Sequence, residues 1–236
     1  MPEKLHLRPS VGQVRYRIGT APNYELASPG NIARLAGRLA EVFNLKATSF
    51  NFNQNALSTQ FLSFRYIFPF GAPGIPLTQL PYLDVALGVD QVEMLFSNPP
   101  SVQLARETYL RTLEAIIAVS SPNITDHYLE ASLHAPGDNV NIRQFFDGFV
   151  TIPTKLPIEK GFAFSLTLEN NARAAMNLDT SILIKGGVFI FFTYTHSVNV
   201  KDLSSIDAII DSAVAVYRQF QSVANIELEE PAEIPK

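Results

Sequence analysis

Two stretches of this chain repeat the same order of elements. A region of alternating side chains around Tyr82-Leu83-Asp84 passes through Val92, Met94 and Phe96, then Pro99-Pro100, into an apolar-striped segment from about Ser101 to Val119. The order returns from Asn177-Leu178-Asp179, through Gly186-Gly187 and the apolar run from Val188 to His196, into a segment from about Ser204 to Phe220. Period-two alternation puts successive side chains on opposite faces of a strand, whereas steps of three and four mark one side of a helix. A chain that does both twice, in the same order, is expected to be a duplicated α+β body.

The flanking segments extend the pattern. Val14, Tyr16 and Ile18 alternate with Gln13, Arg15 and Arg17, and the matching strand of the second copy is expected from His127 to His134. Ser28 and Pro29 suit the start of a helix that carries Ile32, Leu35, Leu39, Val42 and Phe43 on one stripe. Its counterpart is expected near Val140 to Phe149. Phe50 and Phe52, or Phe162, Phe164, Leu166 and Leu168, alternate with smaller or polar residues as half-buried strands do. Asn53 to Asn55, Asn170-Asn171 and Gly186-Gly187 supply the turns of antiparallel hairpins.

The last helix should bury Ile206, Ile209, Ile210, Ala213, Val214, Tyr217 and Phe220, starting at a Ser204/Asp207 capping box. The corresponding helix of the first copy shows Val102, Ala105, Tyr109, Leu113, Ile116 and Ile117. The expected fold class is therefore α+β, with pseudo-duplicated β-α-β(3-4)-α units and antiparallel sheets each packed against a long helix. Residues 1–120 form the first half, 121–225 the second and 226–236 an acidic flexible tail.

With 236 residues, 47% of them hydrophobic and 17 of them Phe, the chain can bury roughly three quarters of its unfolded surface without a staple. It has no cysteine, which excludes disulfides, thiolate nucleophiles and cysteine-based metal sites and fits a reducing compartment. Met1 to Ser10 lacks the apolar run of a secretory signal, and His6 falls in this segment, which is expected to be mobile. The longest apolar run, Gly187 to Tyr194, falls far short of the roughly twenty residues that cross a bilayer. A net charge of −4 with scattered basic residues disfavours phosphate-backbone binding. The expectation is a cytoplasmic protein with no membrane and no nucleic-acid partner.

The residues capable of chemistry do not assemble into a motif. His196, after Thr193-Tyr194-Thr195, could act as a general base, but no acid is placed near it, and a strand-end histidine facing solvent is the simpler reading. His127 and His134 have opposite parity on one strand, so they offer no metal pair. Asp84 and Asp179 occupy equivalent places in the two copies and could share a cation, although their wet neighbours point to exposed carboxylates. Gly71-Ala72-Pro73-Gly74, inside the Pro-rich stretch Pro69 to Pro81, and Gly186-Gly187 lack the context of a phosphate cradle. No catalytic residue, metal or cofactor is assigned.

One strand is apolar on both sides. Val188, Ile190, Phe192 and Tyr194 fill one face, while Phe189 and Phe191 share the other with Thr193 and Thr195. Phe61, Phe64, Tyr66, Phe68 and Phe70 raise the same question one repeat earlier. Phe189, Phe191, Thr193, Thr195 and His196 are the candidate partner- or ligand-facing residues.

The doubled strand, helix, four-strand, helix order resembles TATA-binding-protein-like and helix-grip architectures, in which a curved antiparallel sheet holds a long helix. The run from Leu178-Asp179-Thr180 through Ser205-Ile206-Asp207-Ala208-Ile209-Ile210 to Phe220 resembles the end of a family of uncharacterised bacterial proteins. That resemblance implies no catalytic residues and a bacterial cytoplasmic origin. The expected function is a non-enzymatic protein-protein interaction or scaffold subunit, assembling with itself or another protein through its aromatic strands. The alternative is a small-molecule binder or enzyme that holds an apolar ligand between sheet and long helix.

Overall fold

A computed structural model describes residues 4–53, 60–69, 80–137, 145–146, 161–168, 171–200 and 202–229. The helix expected near Val140 to Phe149, apart from Phe145 and Phe146, falls outside these residues, as do Gln54, Asn55, Asn170, Phe70, the Gly71 to Gly74 turn and tail residues 230–236.

Among the described residues the order is β1 (Leu5–Leu7), β2 (Val11–Thr20), α1 (Pro29–Phe43), β3 (Phe50–Phe52), β4 (Gln60–Ile67), β5 (Tyr82–Gly88), β6 (Gln91–Ser97) and α2 (Val102–Ile117). There follow β7 (Ile124–Pro136), β8 (Phe162–Thr167), β9 (Ala172–Thr180), β10 (Gly187–Val200), α3 (Leu203–Val223) and β11 (Ile226–Leu228). The protein is a mixed α+β fold built on one large antiparallel sheet of nine strands, ordered β3-β4-β5-β6-β2-β7-β10-β9-β8. Where the sequence suggests a sheet for each half, β2 and β7 pair from Val11 and His134 to Thr20 and Ile124 and join all nine strands. An edge strand leaves a row of unpaired backbone groups, and joining two edges satisfies both.

Side-chain parity assigns the two faces. Tyr16 of β2 sits beside Leu129 of β7 and Met94 of β6, and Leu129 beside Tyr194 of β10, so these residues share a face. All three helices lie on it. Phe43 of α1 packs on Phe64 and Tyr66, Tyr109 of α2 stacks on Tyr16 at 4.2 Å, and Tyr217 and Phe220 of α3 meet Phe192. Phe61, Phe64 and Phe68 are also buried within the chain.

The helices start and stop where local chemistry dictates. Pro29 opens α1, and Asn44 closes it in the left-handed region at φ 51°, where Asn is tolerated. Ser101 Oγ accepts from Leu104 N–H at the start of α2. The cap of α3 is Asp202, two residues before the expected Ser204. Its carboxylate accepts from Ser205 N–H and from the Ser204 and Ser205 hydroxyls, while Asp207 pairs with Arg106 of α2. A carboxylate can take several donors and its charge suits a helix N-terminus, so Asp202 outcompetes a serine. Ile206, Ile209, Ile210, Ala213 and Phe220 are buried as the periodicity requires, whereas Val102 of α2 is exposed.

The two ends of the described chain meet. β1 runs parallel to β11, with Leu5 beside Ile226 and Leu7 beside Leu228. Leu5, Leu7 and Ile226 are buried, and Lys4 pairs with Glu227 at 2.7 Å. Both the mobile N-terminus and a flexible tail beginning at 226 are corrected here: acidic residues in the tail disguise a strand whose apolar side faces the core.

His127 lies within the core with 0% exposure, and neither ring nitrogen has a hydrogen-bond partner among the described residues. Tyr16 and Tyr109 face it edge-on, and His196 lies directly across on β10. Burial, reinforced by His196, pushes its pKa down to about 4. The unfolded chain therefore takes up a proton below pH 6.5 that the native chain refuses, so stability falls with pH across this window. The loss attributable to His127 should reach about 2–3 kcal/mol by about pH 4.5. Urea denaturation of wild type and His127→Leu at about pH 7 and about pH 4.5 checks this. The variant should be at least as stable at neutral pH and should lose that much less on acidification.

Candidate functional site

The face of the sheet opposite the helices carries the residues singled out on β10. Phe189, Phe191, Thr193 and Thr195 are all half-buried on it. His196 has the other parity and lies on the helix side beside His127, so it does not join the other four. β10 runs on to Val200, so His196 is not the solvent-facing strand-end histidine that the sequence suggests but a half-buried residue within the strand.

Register lays the open face out in rows across β9, β10, β7 and β2. Asp179, Phe189, His134 and Val11 form the first, and Asn177, Phe191, Ser132 and Gln13 the second. The third holds Ala175, Thr193, Glu130 and Arg15, and the fourth Arg173, Thr195, Tyr128 and Arg17. The first two rows hold the rings Phe189, His134 and Phe191. His134 stacks on Phe189 at 4.6 Å, and Phe189 lies 6.2 Å from Phe191.

The last two rows are a polar net. Arg15 spans Glu93 at 3.3 Å and Glu130 at 3.5 Å, and Tyr128 donates to Glu130 at 2.8 Å. Arg17 lies over the Tyr128 ring at 4.7 Å. Burial, with the Glu130 carboxylate as acceptor, pushes the Tyr128 phenol up to about 12, so it remains a donor at neutral pH.

Beside the aromatic rows stands an exposed turn. The β9–β10 connection displays Ile182 at 93% exposure and Leu183 at 63%. Ser181 pins it, since its Oγ accepts from the N–H groups of Leu183 and Ile184 and lies 2.8 Å from His134 Nδ1. Burial lowers the pKa of His134, which favours the neutral ring in this contact. Gly186, at φ 72°, allows the chain to return into β10. Two aliphatic side chains are thus held out to water by a fixed turn and adjoin a stacked aromatic patch. Sequence reading placed a turn at Gly186-Gly187 and set His134 aside as a metal ligand, but it did not single out Ile182 or Leu183. The available signal was an apolar pair between two strands, where turn chemistry calls for polar residues.

The remaining candidates stay apart. Asp84 forms a two-pronged ion pair with Arg65 at 2.6 and 2.7 Å, and Arg65 lies over Tyr82. Asp84 and Asp179 sit on β5 and β9 with four strands between them, about 24 Å apart, so they cannot share a cation. A shallow depression of about 440 Å³ adjoins the Arg65–Asp84 pair and is lined also by Asn51, Ser63, Glu93 and Leu95. Among the described residues, no group of three or more His, Asp or Glu side chains could hold a metal ion, and no helix is long and apolar enough to cross a membrane.

The two sides of β10 should respond differently to truncation. Phe192→Ala empties a position with 1% exposure and should cost about 3–5 kcal/mol, whereas Phe191→Ala on the open face should cost less than half as much. Chemical denaturation of the two variants measures the contrast. Loss of the Ser181 hydroxyl in Ser181→Ala should speed hydrogen exchange at Leu183 and Ile184 with little effect elsewhere in the sheet. No protein-family model matches the chain, and no curated protein is similar to it.

Proposed function

We propose that this protein is a non-catalytic interaction module that docks another protein surface through the helix-free face of its sheet, centred on Phe189, Phe191 and the Ile182-Leu183 turn. The observation that carries this reading is the pinned turn. Leaving Ile and Leu side chains in water forgoes roughly 1.5–3 kcal/mol each, and a partner that covers them recovers it. The stacked rings beside them supply the rigid aromatic anchors on which interfaces commonly centre.

Three further points support the reading. Arg15, Arg17, Arg65 and Arg173 share the open face with Asp84, Glu93, Asp126, Glu130 and Asp179, a mixed surface that suits a protein better than a polyanion. The helix side is filled by Tyr16, Tyr109, Phe192, Tyr194, Ile206 and Ile210, all buried, which favours surface docking over a ligand held between sheet and helix. Outward from the β2–β7 seam the strands run β6, β5, β4 on one side and β10, β9, β8 on the other. This common strand order supports the reading of pseudo-duplicated β-α-β(3-4)-α units, with the β9–β10 turn as the docking tip of one copy.

Incorporating a photo-activated cross-linking amino acid at position 182 tests the proposal. Irradiation of cells of the native host should yield a discrete protein adduct at 182 and none at a control position such as Glu41, which is exposed on α1. Equal labelling at both positions, or none at either, would overturn it.

A further inference from the structure

The geometry points to a second copy of this chain as the docked partner, applied face to face so that the β9–β10–β7–β2 blocks of the two molecules run antiparallel. This assignment rests on the docking reading above and specifies its partner. Two facing sheets are related by a two-fold axis lying in their interface. If that axis crosses the strands between the second and third rows, the first row of each molecule lies on the fourth row of the other.

That single operation makes the charges of β9 self-complementary. Arg173 and Asp179 lie on the same strand and face, equally far from the axis, both exposed and neither in an ion pair among the described residues. The operation brings each one against the other in the opposite molecule, closing two ion pairs per dimer. It lays Phe189 and His134 on the opposite molecule's Thr195 and Tyr128, and Phe191 on its Thr193. Ala175 at the centre of β9 is small, which permits the roughly 10 Å separation of packed sheets.

The size of the patch sets the strength. Four rows by four strands, with side-chain margins, cover about 25 by 19 Å, or about 500 Å² per molecule. The total of about 1,000 Å² lies at the lower limit for a specific interface, so the pairing is weak and concentration-dependent. Because the two-fold contact uses the same patch on both molecules, it closes at two.

Sedimentation velocity over about two orders of magnitude in protein concentration tests this, with wild type, Arg173→Asp, Asp179→Arg, the double exchange and an equimolar mixture of the two single variants. Wild type should pass from monomer to dimer, and each single exchange should weaken association at least about tenfold by setting like charges face to face. Both the double exchange and the mixture should restore it, because each recreates two opposite-charge contacts. Circular dichroism and thermal melting matching wild type confirm that the exposed substitutions leave the fold intact. Wild type that stays monomeric throughout, single exchanges that associate normally, or a mixture that fails to recover would each overturn the self-pairing. A monomer that still cross-links from position 182 to a different protein would overturn the self-pairing while leaving the docking reading in place.

Discussion

The pairing of β2 with β7 is the constraint on which the rest of the molecule depends. Each strand is long, and their register runs from Val11 and His134 to Thr20 and Ile124 with one irregularity near its end. Without that seam there would be two smaller sheets, each with an additional exposed edge. With it, the strands make one continuous surface, and the helices crowd onto a single side. Tyr16, in the seam, shows how closely the layers are tied, since it touches Phe96 of the neighbouring strand, Tyr109 of α2 and His127 of the second half at once.

Placing the three described helices on one side divides the aromatic residues between two tasks. Most of those facing the helices, Tyr16, Phe64, Phe96, Phe192 and Tyr194 among them, are removed from water and supply the bulk of the stabilisation. Those facing away are only half-buried, and they persist because neighbours cover them partially: Phe189 by His134, Tyr128 by the Arg17 guanidinium, Tyr82 by that of Arg65. The open face is therefore neither a second core nor an ordinary solvated surface. Its charges are arranged against each other, and its rings are fixed in place before anything arrives, which limits the ordering cost of association.

Much of this was legible in the sequence because parity and periodicity are local. The alternation of Tyr16 and Ile18 with Arg15 and Arg17 assigned the faces of β2, and the spacing from Ile206 to Phe220 assigned the buried stripe of α3. What was not legible depends on contacts between distant segments. Whether the halves share a sheet is decided by pairing across more than a hundred residues of chain, which no periodicity encodes. Asp202 displaced Ser204 as a cap because several donors converge on one carboxylate in three dimensions. Glu227 made a strand look like a tail, because the acid faces Lys4 while Ile226 beside it is buried. His196 was grouped with its hydroxyl neighbours, and strict alternation would have separated it from them.

The parallel contact between β1 and β11 carries a consequence for how the protein is made. Leu5 and Leu7 complete their burial only against residues synthesised near the other end of the chain. On a ribosome the leading segment must wait, greasy and unmatched, while almost everything else emerges. The nascent polypeptide can therefore lock this strand only once Ile226 to Leu228 have cleared the exit tunnel, so a segment made early is among the last of the described elements to settle.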